Sequence, residues 1–98
     1  MKISEASNAL ESLGNESRLS IFRVLVRAGP AGLPVGKLQQ RLHIPGSTLS
    51  HHISHLVNCQ LVLQRREGRI RRCTVNYARM NALMAYLVKE CCQDVGGC

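Results

Sequence analysis

The sequence predicts a mainly α-helical domain with one small β-hairpin, in the order ααααββα. Three observations predict it. Apolar residues recur at three- and four-residue spacing in five separate stretches. Gly- and Pro-containing breaks separate several of those stretches. Between residues 61 and 77 the pattern changes to two extended runs around Glu67-Gly68-Arg69. With 98 residues there is room for one domain and one modest core. That core rests on Leu, Ile and Val, since there are three aromatic residues and no Trp. So small a chain gains stability from oligomerisation.

The elements follow in order. Ile3, Ala6, Leu10 and Leu13 make a first amphipathic helix, stopped by Gly14-Asn15. Asn15 or Ser17 caps the second, whose apolar set is Leu19, Phe22, Leu25 and Val26, with Ile21 and Val24 adding bulk. Gly29-Pro30-Ala31-Gly32 ends it. Pro34 suits the first position of a third helix, where its missing N–H costs nothing, and Val35, Leu38 and Leu42 form the buried face. His43-Ile44-Pro45-Gly46 is a tight turn. Ser47 then caps a fourth helix over 46–58, or Pro45 begins it, with Leu49, Ile53, Leu56 and Val57 buried. The strands are expected at 61–66 and 70–77, and the wing they form at 62–77. Met80, Leu83, Met84, Leu87 and Val88 give a last helix running to about Cys92. Residues 1–92 thus form one domain, and Gly96-Gly97 releases a flexible cysteine-containing tail over 93–98.

Two helices joined by a short turn and followed by a hairpin are the arrangement of a winged helix-turn-helix. The fourth helix has a polar face without Glu, Asp or Lys: Ser47, Thr48, Ser50, His51, Ser54 and His55. Short hydroxyls and imidazoles suit close approach to base edges in a major groove, and a helix N-terminus attracts phosphate. The net charge is +7, and ten of the thirteen basic residues are Arg. Five of these, Arg65, Arg66, Arg69, Arg71 and Arg72, lie in the hairpin against Glu67 alone. They are placed to follow a phosphate backbone, although strand alternation sends them to different sides. His52 sits near the apolar stripe as a partly buried structural histidine. His51 and His55 have the spacing of a metal pair, but no third ligand is near, so DNA or solvent contact is expected.

Leu13-Gly14-Asn15-Glu16-Ser17-Arg18-Leu19-Ser20-Ile21 resembles the opening of the ArsR/SmtB metalloregulators, and Thr48–Leu56 is similar to their recognition-helix signature. The resemblance covers roughly residues 5–92. It implies a repressor that binds a palindromic operator as a homodimer through its first and last helices, and that an inducer releases. The third-helix thiolate motif and the last-helix His site of some members are missing, since Val35–Arg41 holds no Cys and no His follows His55. Cys91, Cys92 and Cys98 remain as the expected site for As(III) or Sb(III), because three soft thiolates suit a trigonal thiophilic ion. Some arsenic-responsive members resemble this arrangement. Adjacent helical residues diverge by about 100°, so Cys91 and Cys92 converge only where the helix unwinds. Cys59 reads as a small core residue and Cys73 as part of a strand.

Two other readings stand beside this one. The same DNA-binding repressor could sense a redox or sulfide signal through its cysteines, although reduced thiols are the default for a chain without a secretory signal. A metalloid-binding module that never touches DNA is the more distant reading. An enzyme is not expected: the one Asp, Asp94, lies on the tail, and there is no phosphate loop or acid pair. No stretch is long and apolar enough for a transmembrane helix, so a cytoplasmic chain without a membrane partner, needing no cofactor to bind DNA, is expected.

Overall fold

The computed structural model describes residues 1–97. Its helices are α1 (Ile3–Leu13), α2 (Glu16–Ala28), α3 (Val35–Leu42), α4 (Gly46–Asn58) and α5 (Tyr77–Val88). Its strands are β1 (Leu33–Pro34), β2 (Val62–Glu67) and β3 (Ile70–Val75), in one antiparallel sheet of order β1-β3-β2. This is the winged helix-turn-helix expected from the sequence, with one added strand. Leu33 pairs with Cys73 and Pro34 with Arg72. Pro34 is therefore not the first residue of α3 but its extended N-cap, with φ −62° and ψ 147°. A proline is tolerated in a strand at the sheet edge, which β1 occupies.

The core joins all the helices to the sheet. Ile21, Phe22 and Leu25 of α2 are buried together with Leu38 of α3, Leu49, Ile53 and Leu56 of α4, and Leu61, Val62, Cys73 and Val75 of the sheet region. Burying one such Leu or Ile completely stabilises the fold by about 1.5–3 kcal/mol. The α4 stripe thus outweighs any single surface ion pair, worth about 0–1 kcal/mol.

The two end helices are less embedded than their stripes predicted. From α1, Ala6, Ala9 and Ser12 are buried, while Ile3 and Leu10 are exposed. From α5 only Leu83 is fully buried, and Met84, Leu87 and Val88 face outward. Leu19 of α2 is likewise exposed, and Arg18 takes a buried position beside Ile21, Phe22 and Leu25. An ion pair of 3.1 Å between Arg79 Nη2 and Glu5 Oε2 fastens α5 to α1. At the α1–α2 corner Asn15 caps α2, its side chain accepting from Arg18 N–H, and Arg18 Nε donates to Ser12 O at 2.7 Å.

Gly32 marks the tightest backbone approach. Its φ is +65°, and a Cβ there would collide with the Cys73 carbonyl and with Thr74 Cγ2. Gly68 has a similar φ of +63° with open space around it. Gly32→Ala is expected to cost more than about 2 kcal/mol, through backbone strain plus separation of β1 from β3, whereas Gly68→Ala carries only the strain of about 1–2 kcal/mol. Thermal denaturation of the two variants checks this: the Tm of Gly32→Ala should fall clearly further.

Candidate nucleic-acid interface

The helix-turn-helix is set by α3, a three-residue turn and α4. His43 closes α3 in the left-handed region, at φ 54° and ψ 37°, and its N–H donates to Gln39 O. Ile44 and Pro45 return the chain, and Pro45 is the N-cap of α4, with φ −55° and ψ 143°. Ser47 is therefore not the cap, and Pro45 is not the first helical residue: the helix begins at Gly46, so Ser47 already lies inside its first turn. No side chain caps α4. The N–H groups of its first turn consequently lack an intrahelical acceptor, the arrangement that favours a phosphate oxygen.

Burial of Leu49, Ile53 and Leu56 fixes which way the rest of α4 points. Ser47, Thr48, His51 and Ser54 are exposed, and Ser50 and His55 are half-buried beside them. The structure therefore brings all six sequence-predicted residues onto one accessible helix surface. His51 and His55 meet edge to face, with ring centroids 5.6 Å apart. Among the described residues no group of three or more His, Cys, Asp or Glu is arranged to hold a metal.

The wing arises because β2 and β3 continue beyond the core. Only Val62 of β2, and Cys73 and Val75 of β3, are buried. β2 is shifted one residue later than expected, to Val62–Glu67, and β3 ends two residues earlier, at Val75, because Asn76 caps α5 and Tyr77 begins it; Gly68-Arg69 makes a two-residue loop with a glycine at positive φ. Register divides the arginines: Arg65 stands opposite Arg72, and Arg66 opposite Arg71. Glu67 pairs with Arg72 at 2.9 Å and with Arg65 at 3.4 Å, and the Arg72 hydrogen bond holds its carboxyl below the usual carboxylate range. Arg72 also donates to Ala31 O at 3.2 Å. Arg66 and Arg71 line a depression of about 340 Å³ with Gln64.

Behind the α4 surface lies an electrostatic pairing that sequence reasoning saw only in part. His52 is half-buried as expected, and its Nδ1 is buried with no hydrogen-bond partner among the described residues. Burial pushes its pKa down, and the positive charge of Arg18 adds to the effect. Arg18 was legible only as part of a motif. Its spacing from Ile21, Phe22 and Leu25 was the available signal that it would be buried.

The cysteines divide as expected for two of them. Cys73 is buried in the sheet, its thiol pushed up by burial, and Cys59 is half-buried after α4, donating to Leu56 O. At the C-terminal end α5 stops at Val88 rather than near Cys92. Residues 89–91 expose every side chain, so no apolar face rewards continuing the helix, and Glu90 and Cys92 adopt left-handed backbone. Off the helix, the sulfurs of Cys91 and Cys92 lie 3.5 Å apart. Cys92 is disulfide-bonded, against the expectation of reduced thiols; the turn made by Glu90 and Cys92, closed by Gly97 N–H on Cys92 O, folds the segment back on itself. Gln93–Val95 forms a single 3-10 turn within the expected tail. Cys98 lies outside the described residues.

The helix-turn-helix domain family matches residues 13–65, which run from the end of α1 into β2. Among solved structures, HlyU from Vibrio cholerae N16961 is 30% identical with a TM-score of 0.73, over 95% of this chain and 100% of that one. An ArsR-like transcriptional regulator from Rhodococcus sp. RHA1 is 24% identical with a TM-score of 0.77, over 93% and 82% of the two chains. A homodimeric winged helix-turn-helix DNA-binding domain from Mycobacterium bovis, a possible ArsR-family regulator, is 23% identical with a TM-score of 0.70, over 91% and 82%. No curated protein matches the chain.

His52 gives a pH dependence with a definite sign. Its folded pKa lies below the ordinary 6.5, so the unfolded chain takes up the proton first. This contribution to stability is complete above pH 6.5 and is lost as pH falls through the folded value. Denaturant melts between pH 8 and pH 5 should show stability falling on the acid side, and His52→Gln should flatten that fall.

Proposed function

The chain belongs to the helix-turn-helix domain family, and we propose that it is an ArsR/SmtB-type transcriptional repressor acting in the cytoplasm. In this reading a homodimer binds a palindromic operator through α4 and the wing. Trivalent arsenic or antimony at Cys91, Cys92 and Cys98 releases it. The observation that carries the reading is the uncapped N-terminus of α4, free of carboxylates on its polar face and coupled in one fold to an arginine-rich wing. Ser47, Thr48, Ser50, His51, Ser54 and His55 read base edges, and the wing holds the phosphate backbone. Family and fold are those of DNA-binding regulators rather than enzymes. Among the described residues no helix is long and apolar enough to cross a membrane.

The dimer reading is supported by the apolar face that α1 and α5 leave open. Ile3, Leu10 and Leu87 share one groove, and Met84 and Val88 extend the exposed apolar surface. Such a patch on so small a domain marks an interaction surface. The mycobacterial neighbour is homodimeric. A two-fold pair would present two α4 helices to half-sites one helical turn apart, about 34–36 Å.

The inducer reading is supported by the closeness of the Cys91 and Cys92 sulfurs. With bonds of about 2.3 Å, the length of a zinc–thiolate bond, one ion bridging sulfurs 3.5 Å apart subtends roughly 100°. That angle is narrower than tetrahedral and suits a pyramidal trivalent centre, which requires both thiols reduced. The ligand releases the operator only if it binds the DNA-free conformation better. A second reading, release by oxidation, is favoured by the disulfide at Cys92, and HlyU is known in a reduced form.

One titration separates these readings. The protein, kept reduced, is bound to a fragment carrying its own upstream region and titrated with arsenite, in parallel with Cys91→Ser/Cys92→Ser. Arsenite should release the wild type and leave the double variant bound. Release of both overturns the thiolate site. Release of the wild type by oxidant but not by arsenite establishes the redox reading in its place.

A further inference from the structure

We propose that the wing is electrostatically two-faced: Arg66 and Arg71 form its phosphate-binding pair for duplex DNA, while Glu67 withdraws Arg65 and Arg72 from DNA and uses them to stiffen the wing. The inference rests on the DNA-binding reading above and goes beyond it by separating four of the five wing arginines that the sequence treats alike.

Cross-strand partners in an antiparallel pair project to the same face. Arg65, Arg72, Glu67 and Ile70 therefore share one face, and Gln64, Cys73, Arg66 and Arg71 the other. On the first face the Glu67 carboxylate lies between two guanidinium groups, at 3.4 Å from Arg65 and 2.9 Å from Arg72. Arg72 is further engaged with Ala31 O, which ties the wing to the segment before β1. Its Nε and Nη1 are thus engaged within the fold.

The second face is built differently. Arg66 and Arg71 are directly opposed, and among the described residues neither has an ion pair. Like charges placed opposite one another on a sheet destabilise it. Among the described residues no carboxylate offsets that cost, and a polyanion would. The depression they line contains Gln64, a further hydrogen-bond donor, and no acidic side chain. Two guanidinium groups about 5 Å apart at Cβ suit neighbouring phosphate oxygens of one strand. Glu67 then has a positioning role. It neutralises one of the wing's five positive charges and engages two of its arginines, which limits sequence-independent affinity while the α4 surface discriminates among sites.

The test is the salt dependence of binding to a random-sequence duplex of about 25 base pairs, measured for the full chain and single variants. Arg66→Ala and Arg71→Ala should each reduce the slope of log K against log salt by about 1. Arg65→Ala and Arg72→Ala should leave the slope unchanged, with Arg72→Ala lowering the Tm instead. Glu67→Gln should steepen the slope by about 1 to 2 and tighten binding at low salt, and Glu67→Ala provides the same reading should one variant fold poorly. Equal slope losses for all four arginines, or unchanged slopes in both Glu67 variants, overturn the two-faced wing while DNA binding itself stands. A wild type that fails to bind the duplex overturns both.

Discussion

The fold depends on burying Leu49, Ile53 and Leu56 of α4 against α2 and the root of β2. That stripe holds the helix in one rotation, so its remaining residues have no choice of direction. Ser47, Thr48, His51 and Ser54 are presented outward because their apolar neighbours are committed inward. The turn of His43–Pro45 supports this by returning the chain without a capping side chain, which leaves the first-turn N–H groups of α4 available. Recognition chemistry here is a consequence of packing.

A second constraint operates behind that surface. Arg18 is buried at the α1–α2 corner, bound to Ser12 O, and its charge faces His52 on the inner side of α4. Burial and that neighbour both favour the neutral imidazole over the protonated one. The same helix thus carries His51 exposed and His55 half-buried on its outer surface, and one inward histidine whose protonation opposes the fold.

Much of this was legible in the sequence because periodicity is a direct record of burial. The order of helices, the stripe of α4 and the hairpin all follow from spacing. What escaped was tertiary. Leu33-Pro34 is too short to register as a strand, and its pairing with β3 depends on Gly32 allowing close approach. The stripes of α1 and α5 predicted burial that the single chain does not provide, since Ile3, Leu10, Met84, Leu87 and Val88 face outward. The end of α5 carries no glycine signal, and α5 stops where its apolar positions do. Which wing arginines pair with Glu67 follows from strand register, which fixes Arg66 opposite Arg71 and leaves Glu67 beside Arg65 and Arg72.

The central claim is that one continuous surface, made of the outward face of α4 and the Arg66–Arg71 side of the wing, engages duplex DNA. Amide hydrogen exchange of the protein, alone and bound to its own upstream fragment, tests it most directly. The account predicts added protection in residues 46–55 and 64–71, with α2 and the strand root unchanged. Protection that bypasses both segments would contradict it.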